Sequence, residues 1–171
     1  MFQTDRLFAK IDYWMKCLDN YTIGQMVRVP APGSWSMGQL YIHLIRDSTF
    51  YIEQARETFS GNKHSAEQSL PAAKEMFSKN EFPDIQIEGN PSNAFIPQPE
   101  SKDQLLKGLV ELKRMIKEIA PGLTDNQHQG KTKHPGLGYF SAPEWIQFTD
   151  MHFHHHLKQK KRIDTFLETI N

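Results

Sequence analysis

An all-α, antiparallel four-helix bundle is the fold this sequence predicts. Three observations predict it: four segments carry apolar residues at three-and-four spacing, three serine capping signals stand ahead of helical stretches, and strand character is scarce. The 171 residues suit one domain, 1–171, with a single core. No internal repeat, low-complexity tract or composition break marks a second one.

The first helix is expected to start after Thr4 as N-cap, with Leu7, Phe8, Ile11, Trp14, Met15 and Leu18 on one stripe, and to end near Asn20. Val29-Pro30-Ala31-Pro32-Gly33 is too rich in proline to be helical. Ser36-Met37-Gly38-Gln39 then has capping-box spacing and opens a second helix through Leu40, His43, Leu44, Asp47, Phe50, Tyr51 and Gln54, stopped by Ser60-Gly61-Asn62. A shorter helix is expected over Ala72–Ser78, with Pro71 near its start. Four prolines between Phe82 and Pro99 make that stretch a long surface loop, with Ile85-Gln86-Ile87 as its one strand-like piece.

Ser101-Lys102-Asp103-Gln104 repeats the box spacing ahead of Leu105, Leu106, Leu109, Leu112, Ile116 and Ile119, and Pro121-Gly122 ends that helix. The polar, glycine-containing residues from Thr124 to Phe140 read as loop. Ser141-Ala142-Pro143-Glu144 is a third box, and the last helix places Trp145, Phe148, Thr149, His152, His156, Gln159, Ile163, Phe166 and Ile170 on one seam.

Twenty basic and twenty acidic residues cancel, so no global field draws the chain to nucleic acid or to an anionic membrane. The one cysteine, Cys17, has no partner for an internal disulfide and reads as a small, partly buried side chain beside the first apolar stripe. The first residues lack the basic-then-apolar order of a secretory signal, and no apolar run approaches the roughly 18 to 20 residues of a membrane span. A soluble, cytoplasmic protein is the expectation.

Chemistry concentrates in Met151-His152-Phe153-His154-His155-His156. At roughly 100° per residue, His156 falls about 40° from His152, whereas His154 falls about 200° away and points outward. His152 and His156 therefore share the apolar seam, where an imidazole is costly unless its nitrogens find partners. His43 holds the equivalent position on the second helix. Three inward imidazoles from two helices would make a facial set of nitrogen ligands with open positions for water or substrate, as in catalytic zinc sites. The expected metal ligands are His43, His152 and His156, around a divalent ion such as zinc, nickel or iron. Asp47 and Asp150 are candidates to accept the outer ring protons, Gln159 to steady a ligand, and His134 to reach the open side. His154 and His155 could instead mark a solvated histidine run that takes up metal adventitiously. A non-catalytic binding bundle with a structural or adventitious metal is therefore the alternative.

Ser36-Met37-Gly38-Gln39-Leu40-Tyr41-Ile42-His43-Leu44, His134-Pro135-Gly136-Leu137-Gly138 with Ser141-Ala142-Pro143-Glu144-Trp145, and His152-Phe153-His154-His155-His156-Leu157-Lys158-Gln159 occur in an order that resembles the DinB/YfiT-like four-helix-bundle metalloenzymes. The resemblance covers most of the chain. It implies an up-up-down-down bundle, a divalent metal on three histidines matching His43, His152 and His156, and frequent homodimers. It also implies a small-molecule substrate handled with a low-molecular-weight thiol, in a transferase-like reaction; metal-assisted hydrolysis is the other chemistry such a site suits. No catalytic residue beyond the ligand set is assigned. The long loop from Phe82 to Pro99 departs from the plainest members.

Overall fold

Serine side chains mark where the long helices begin in the computed structural model, which describes residues 3–83, 95–124 and 129–170. Gln39 N donates to Ser36 Oγ (3.1 Å) and Ser36 N to Gln39 Oε1 (3.0 Å), a reciprocal box that opens α3, Met37–Glu57. At Ser141 the Glu144 carboxylate accepts from the serine N–H and hydroxyl, ahead of α6, Ala142–Thr169. Ser101 accepts from Gln104 N at the start of α5, Lys102–Ile119, but the Gln104 side chain takes the N–H of Glu100 instead, so that box is only half formed.

Thr4 does not cap α1. That helix, Gln3–Cys17, already includes it, and a 3-10 turn carries the chain on to Asn20. A reciprocal Thr22–Gln25 box opens the one-turn α2, Ile23–Met26, which the sequence reading passed over. The short helix is present as α4, Pro71–Lys79, with proline in its first turn and Asn80 left-handed at its end (φ 54°).

The four long helices pack as a bundle in which α6 lies against both α1 and α3, and α5 against both as well. Their directions follow from cross-helix pairs. Arg6 meets Asp150 and Tyr21 meets Asp164, so α1 and α6 run parallel. Ile45 packs at Gly108 and Arg56 reaches Glu118, so α3 and α5 run parallel. His43 faces His156 while Tyr51 stacks on Trp145, so α3 and α6 are antiparallel. Along the chain the order is up-down-down-up; up-up-down-down describes the bundle only when one goes round it from α1 through α6 and α3 to α5. The implied topology is corrected accordingly.

A parallel α3–α5 pair requires the chain to return the length of the bundle between them. This explains the long proline-containing connection. Its far end is pinned where α3 begins: Gln39 Nε2 donates to Ile96 O (2.7 Å), Ser36 Oγ to Gln98 Oε1 (2.8 Å), and a Cβ on Gly38 would stand 2.5 Å from the Pro99 ring. The strand-like Ile85-Gln86-Ile87 lies outside the described residues.

Residues read as plain loop form a small hairpin, β1 (Thr132–His134) and β2 (Gly138–Phe140), with Thr132 opposite Phe140. Three-residue strands without apolar alternation give no period-2 signal, which is why the sequence hides them. Gly138 (φ 87°) also bridges to Ser69, so the segment before α4 lies along the hairpin edge. Trp145 Nε1 donates to Thr132 Oγ1 (2.7 Å), fastening the hairpin to α6.

The core contains Leu7, Ile11, Trp14, Leu44, Leu109, Leu112, Trp145 and Phe153, all fully buried. Three apolar residues assigned to inward seams, Phe50, Leu106 and Ile170, are exposed instead. Among the described residues no helix is long and apolar enough to cross a membrane.

Candidate metal centre

His43 sits in the second turn of α3, and His152 and His156 sit one turn apart on the face of α6 that packs against it. Their Nε2 atoms form a nearly equilateral triangle: 3.0 Å from His43 to His152, 3.0 Å from His43 to His156 and 3.1 Å from His152 to His156. All three residues are buried. Among the described residues they are the group of histidine, cysteine and acidic side chains whose ligand atoms converge closely enough to hold a metal ion.

The residues fixing each ring bear on what the triangle can accept. Gln159 Oε1 lies 2.9 Å from His156 Nδ1, and Asp47 Oδ2 lies 3.3 Å from His43 Nδ1. The Gln159 acceptor assigns His156 a proton on Nδ1 and turns its Nε2 lone pair inward. Lone pairs at 3.0 Å repel unless a cation lies between them. Burial, reinforced by the other two rings and His155, holds His152 well below the usual imidazole pKa; burial first, then His43 and His155, push His156 down to about 3, against a small opposing effect of Gln159. Neutral imidazole is the form that ligates metal.

The spacing also suits an ion. At nitrogen–metal distances of roughly 2.0–2.1 Å, nitrogens 3.0 Å apart subtend about 95°, closer to one face of an octahedron than to a tetrahedron.

Aromatic side chains wall the triangle. Trp35 lies over His43 (ring centroids 4.8 Å apart), Tyr51 meets His152 edge-on (5.5 Å), and Phe82 stands 6.4 Å from His152 and 4.8 Å from Phe148. Burial raises the Tyr51 phenol above its ordinary pKa, and burial also raises Asp47 while neighbouring Arg46, whose Nε is 2.9 Å from Asp47 Oδ1, opposes that shift.

The sequence-predicted positions divide clearly. His43, His152 and His156 come together, with Asp47 and Gln159 behind two of them. Asp150 does not join: it is fully buried on the α1 side of α6, 2.7 Å from both Arg6 and Lys10. His134, on β1, packs against the rings of Phe140, Trp145 and Phe148 and is not among the converging ligand atoms. His154 and His155 are exposed, His155 with its ring 5.0 Å from that of His156. Cys17 is buried, more deeply than expected. Trp35 and Phe82 were missed. A large aromatic directly before an N-cap serine is a staple-type signal that places it on the first turns of the helix, and it could have identified Trp35.

The family model of the DinB superfamily matches residues 7–159. The chain belongs to the DinB superfamily. That span takes in α1 from Leu7, all of α3 and α5, and α6 through Gln159, and so every residue of the triangle with its Gln159 support. No curated protein and no solved structure matches the chain significantly.

Proposed function

We propose that His43, His152 and His156 hold a divalent metal ion in this DinB superfamily protein and that the site is catalytic, acting on a small molecule through an activated thiol or water. The observation that carries the reading is the triangle of Nε2 atoms at 3.0–3.1 Å, built from three buried imidazoles.

A bound divalent ion would supply Lewis acidity, enough to bring water toward a pKa of about 7 or to deprotonate a thiol. The protein supplies the rest. Gln159 fixes the orientation of His156, and the Asp47 carboxylate lies 3.3 Å from His43 Nδ1. Trp35, Tyr51 and Phe82 exclude bulk water from two sides and offer apolar surface to a substrate. Among the described residues no fourth histidine, cysteine or carboxylate joins the three, which favours an open catalytic position over a closed structural site.

A coordination position left free by the three histidines, beside aromatic walls, would suit a low-molecular-weight thiol attacking an electrophilic substrate; hydrolysis is the second chemistry the same site would support. Metal analysis of protein made without an affinity tag or nickel resin tests the reading, and His152→Ala should lose metal and activity together. Activity that appears only with an added small thiol assigns transfer; thiol-independent ester or amide cleavage assigns hydrolysis. Full metal content in the His152→Ala protein would refute the ligand set.

A further inference from the structure

Tyr51 brings a polar group to the aromatic wall of the metal triangle. On α3 it follows Asp47 by one turn and His43 by two, so the three lie along one stripe of the helix that packs against α6. Three contacts hold its ring: it stacks on Trp145 (5.7 Å between centroids, 23° between planes) and stands edge-on to Phe148 (5.0 Å) and to His152 (5.5 Å).

Its hydroxyl is uncommitted. Tyr21 donates to Asp164 (2.6 Å) and Tyr41 to the carbonyl of Trp14 (2.8 Å), whereas the Tyr51 oxygen makes no hydrogen bond among the described residues. Solvent reaches that oxygen, because Tyr51 is only partly buried and its hydroxyl is not among the enclosed polar atoms without a partner. Two observations direct it toward the histidines. Helical side chains lean toward the N-terminus of their helix, which for Tyr51 is the side of Asp47 and His43. The Asp47 carboxylate, 3.3 Å from His43 Nδ1, also lies near enough to the phenol to add to burial in raising it above its ordinary pKa, against the opposing charge of Arg46. A neutral donor with an open approach therefore stands beside the triangle.

We propose that Tyr51 recognises the ligand of the metal centre: its hydroxyl donates a hydrogen bond to a small anion bound alongside His43, His152 and His156. The inference rests on the metal-site reading above. A hydrogen bond to an ionised acceptor is about twice as strong as one to a neutral group, so the hydroxyl selects anionic over neutral ligands. The packed ring needs little further ordering to make it.

Cobalt(II)-loaded, untagged protein titrated with azide as the probe anion, followed by visible absorption, tests this. Wild type should take up cobalt and then bind azide saturably. Tyr51→Phe keeps the ring and its contacts, so cobalt affinity and Tm should match wild type while azide affinity falls roughly 10–100-fold, the effect of one hydrogen bond to a charged group. Undiminished azide binding in Tyr51→Phe would overturn the assignment and leave the metal site standing. Loss of cobalt affinity in that variant would also overturn it, making Tyr51 a support of the ligand set. Failure of wild type to take up cobalt would overturn the metal-site reading and this assignment together.

Discussion

His43 and His152 bring their Nε2 atoms to 3.0 Å across the α3–α6 seam although 109 residues separate them in the chain. Such a contact would tie metal binding to folding, because the unfolded chain has no preformed site. Zinc or nickel at about one hundred times its dissociation constant should therefore add about 2.7 kcal/mol of stability. For a chain of this size that is a rise of roughly 5–10 °C in Tm. Thermal melts with metal and with chelator check it. His43→Ala should melt at the same temperature under both conditions; a shift that survives in this variant would place the ion elsewhere.

Gln159 reaches the metal triangle only through His156 Nδ1, at 2.9 Å. Replacing it with leucine keeps the size and removes the acceptor, so His156 is free to change tautomer. Metal affinity should fall by roughly 10–100-fold, the usual effect of losing such a support. Competition against a chromophoric chelator measures this. The fold should be nearly unaffected, since Gln159 is only partly buried.

How far the sequence reaches depends on the length of the pattern it offers. The helix period over Met37–Glu57 and Ala142–Thr169 spans several turns, so both helices and the inward turn of His43, His152 and His156 were legible. Period argues against Asp150 as a support for the histidines, because two residues before His152 it falls about 160° round the helix, and its placement there was an error. It belongs to the α1 face of α6. A helix as central as α6 buries surface against both α1 and α3, and so buries Phe153 and Lys160 outside the single expected seam. The hairpin and the return segment depend on contacts distant in sequence. Gly38 shows this well: it reads as an ordinary capping-box residue, and only its approach to Pro99 reveals a packing role.

Gly38→Ala follows from that approach. The new Cβ would meet the Pro99 ring at 2.5 Å and Met26 O at 3.0 Å, so the proline segment must shift away from the start of α3. Overpacking of this kind costs roughly 1–3 kcal/mol. Denaturant unfolding should show the loss as a lower midpoint with an unchanged slope. An unaltered midpoint would mean that the segment near Pro99 moves aside without cost.

Asp150 carries no exposed surface and holds two cations from α1, one of which, Arg6, also donates to Asn80 at the end of α4. Asp150→Asn removes the charge that draws α1 against α6. Because Arg6 and Lys10 both retain access to water, the loss should be below that of a fully buried pair, roughly 1–3 kcal/mol. Chemical denaturation quantifies it, and metal content should stay at the wild-type level. A variant that folds normally but loses its metal would return Asp150 to the site.

Acid sensitivity supplies the last prediction. His134, packed among Phe140, Trp145 and Phe148, has its pKa pushed down to about 4 by burial, from an ordinary 6.5. Its folded pKa is depressed, so the unfolded chain takes up the proton first as pH falls. Its neutral ring is fully compatible with the fold above pH 6.5, and the resulting stability is lost progressively down to about pH 4. His152 and His156 act in the same direction in metal-free protein. In chelator, wild-type stability should therefore decline across that window, and His134→Phe, which keeps an aromatic ring in the stack and removes the titration, should decline less steeply. Parallel curves for the two proteins would show that the His134 ring reaches enough water to be protonated in the folded state.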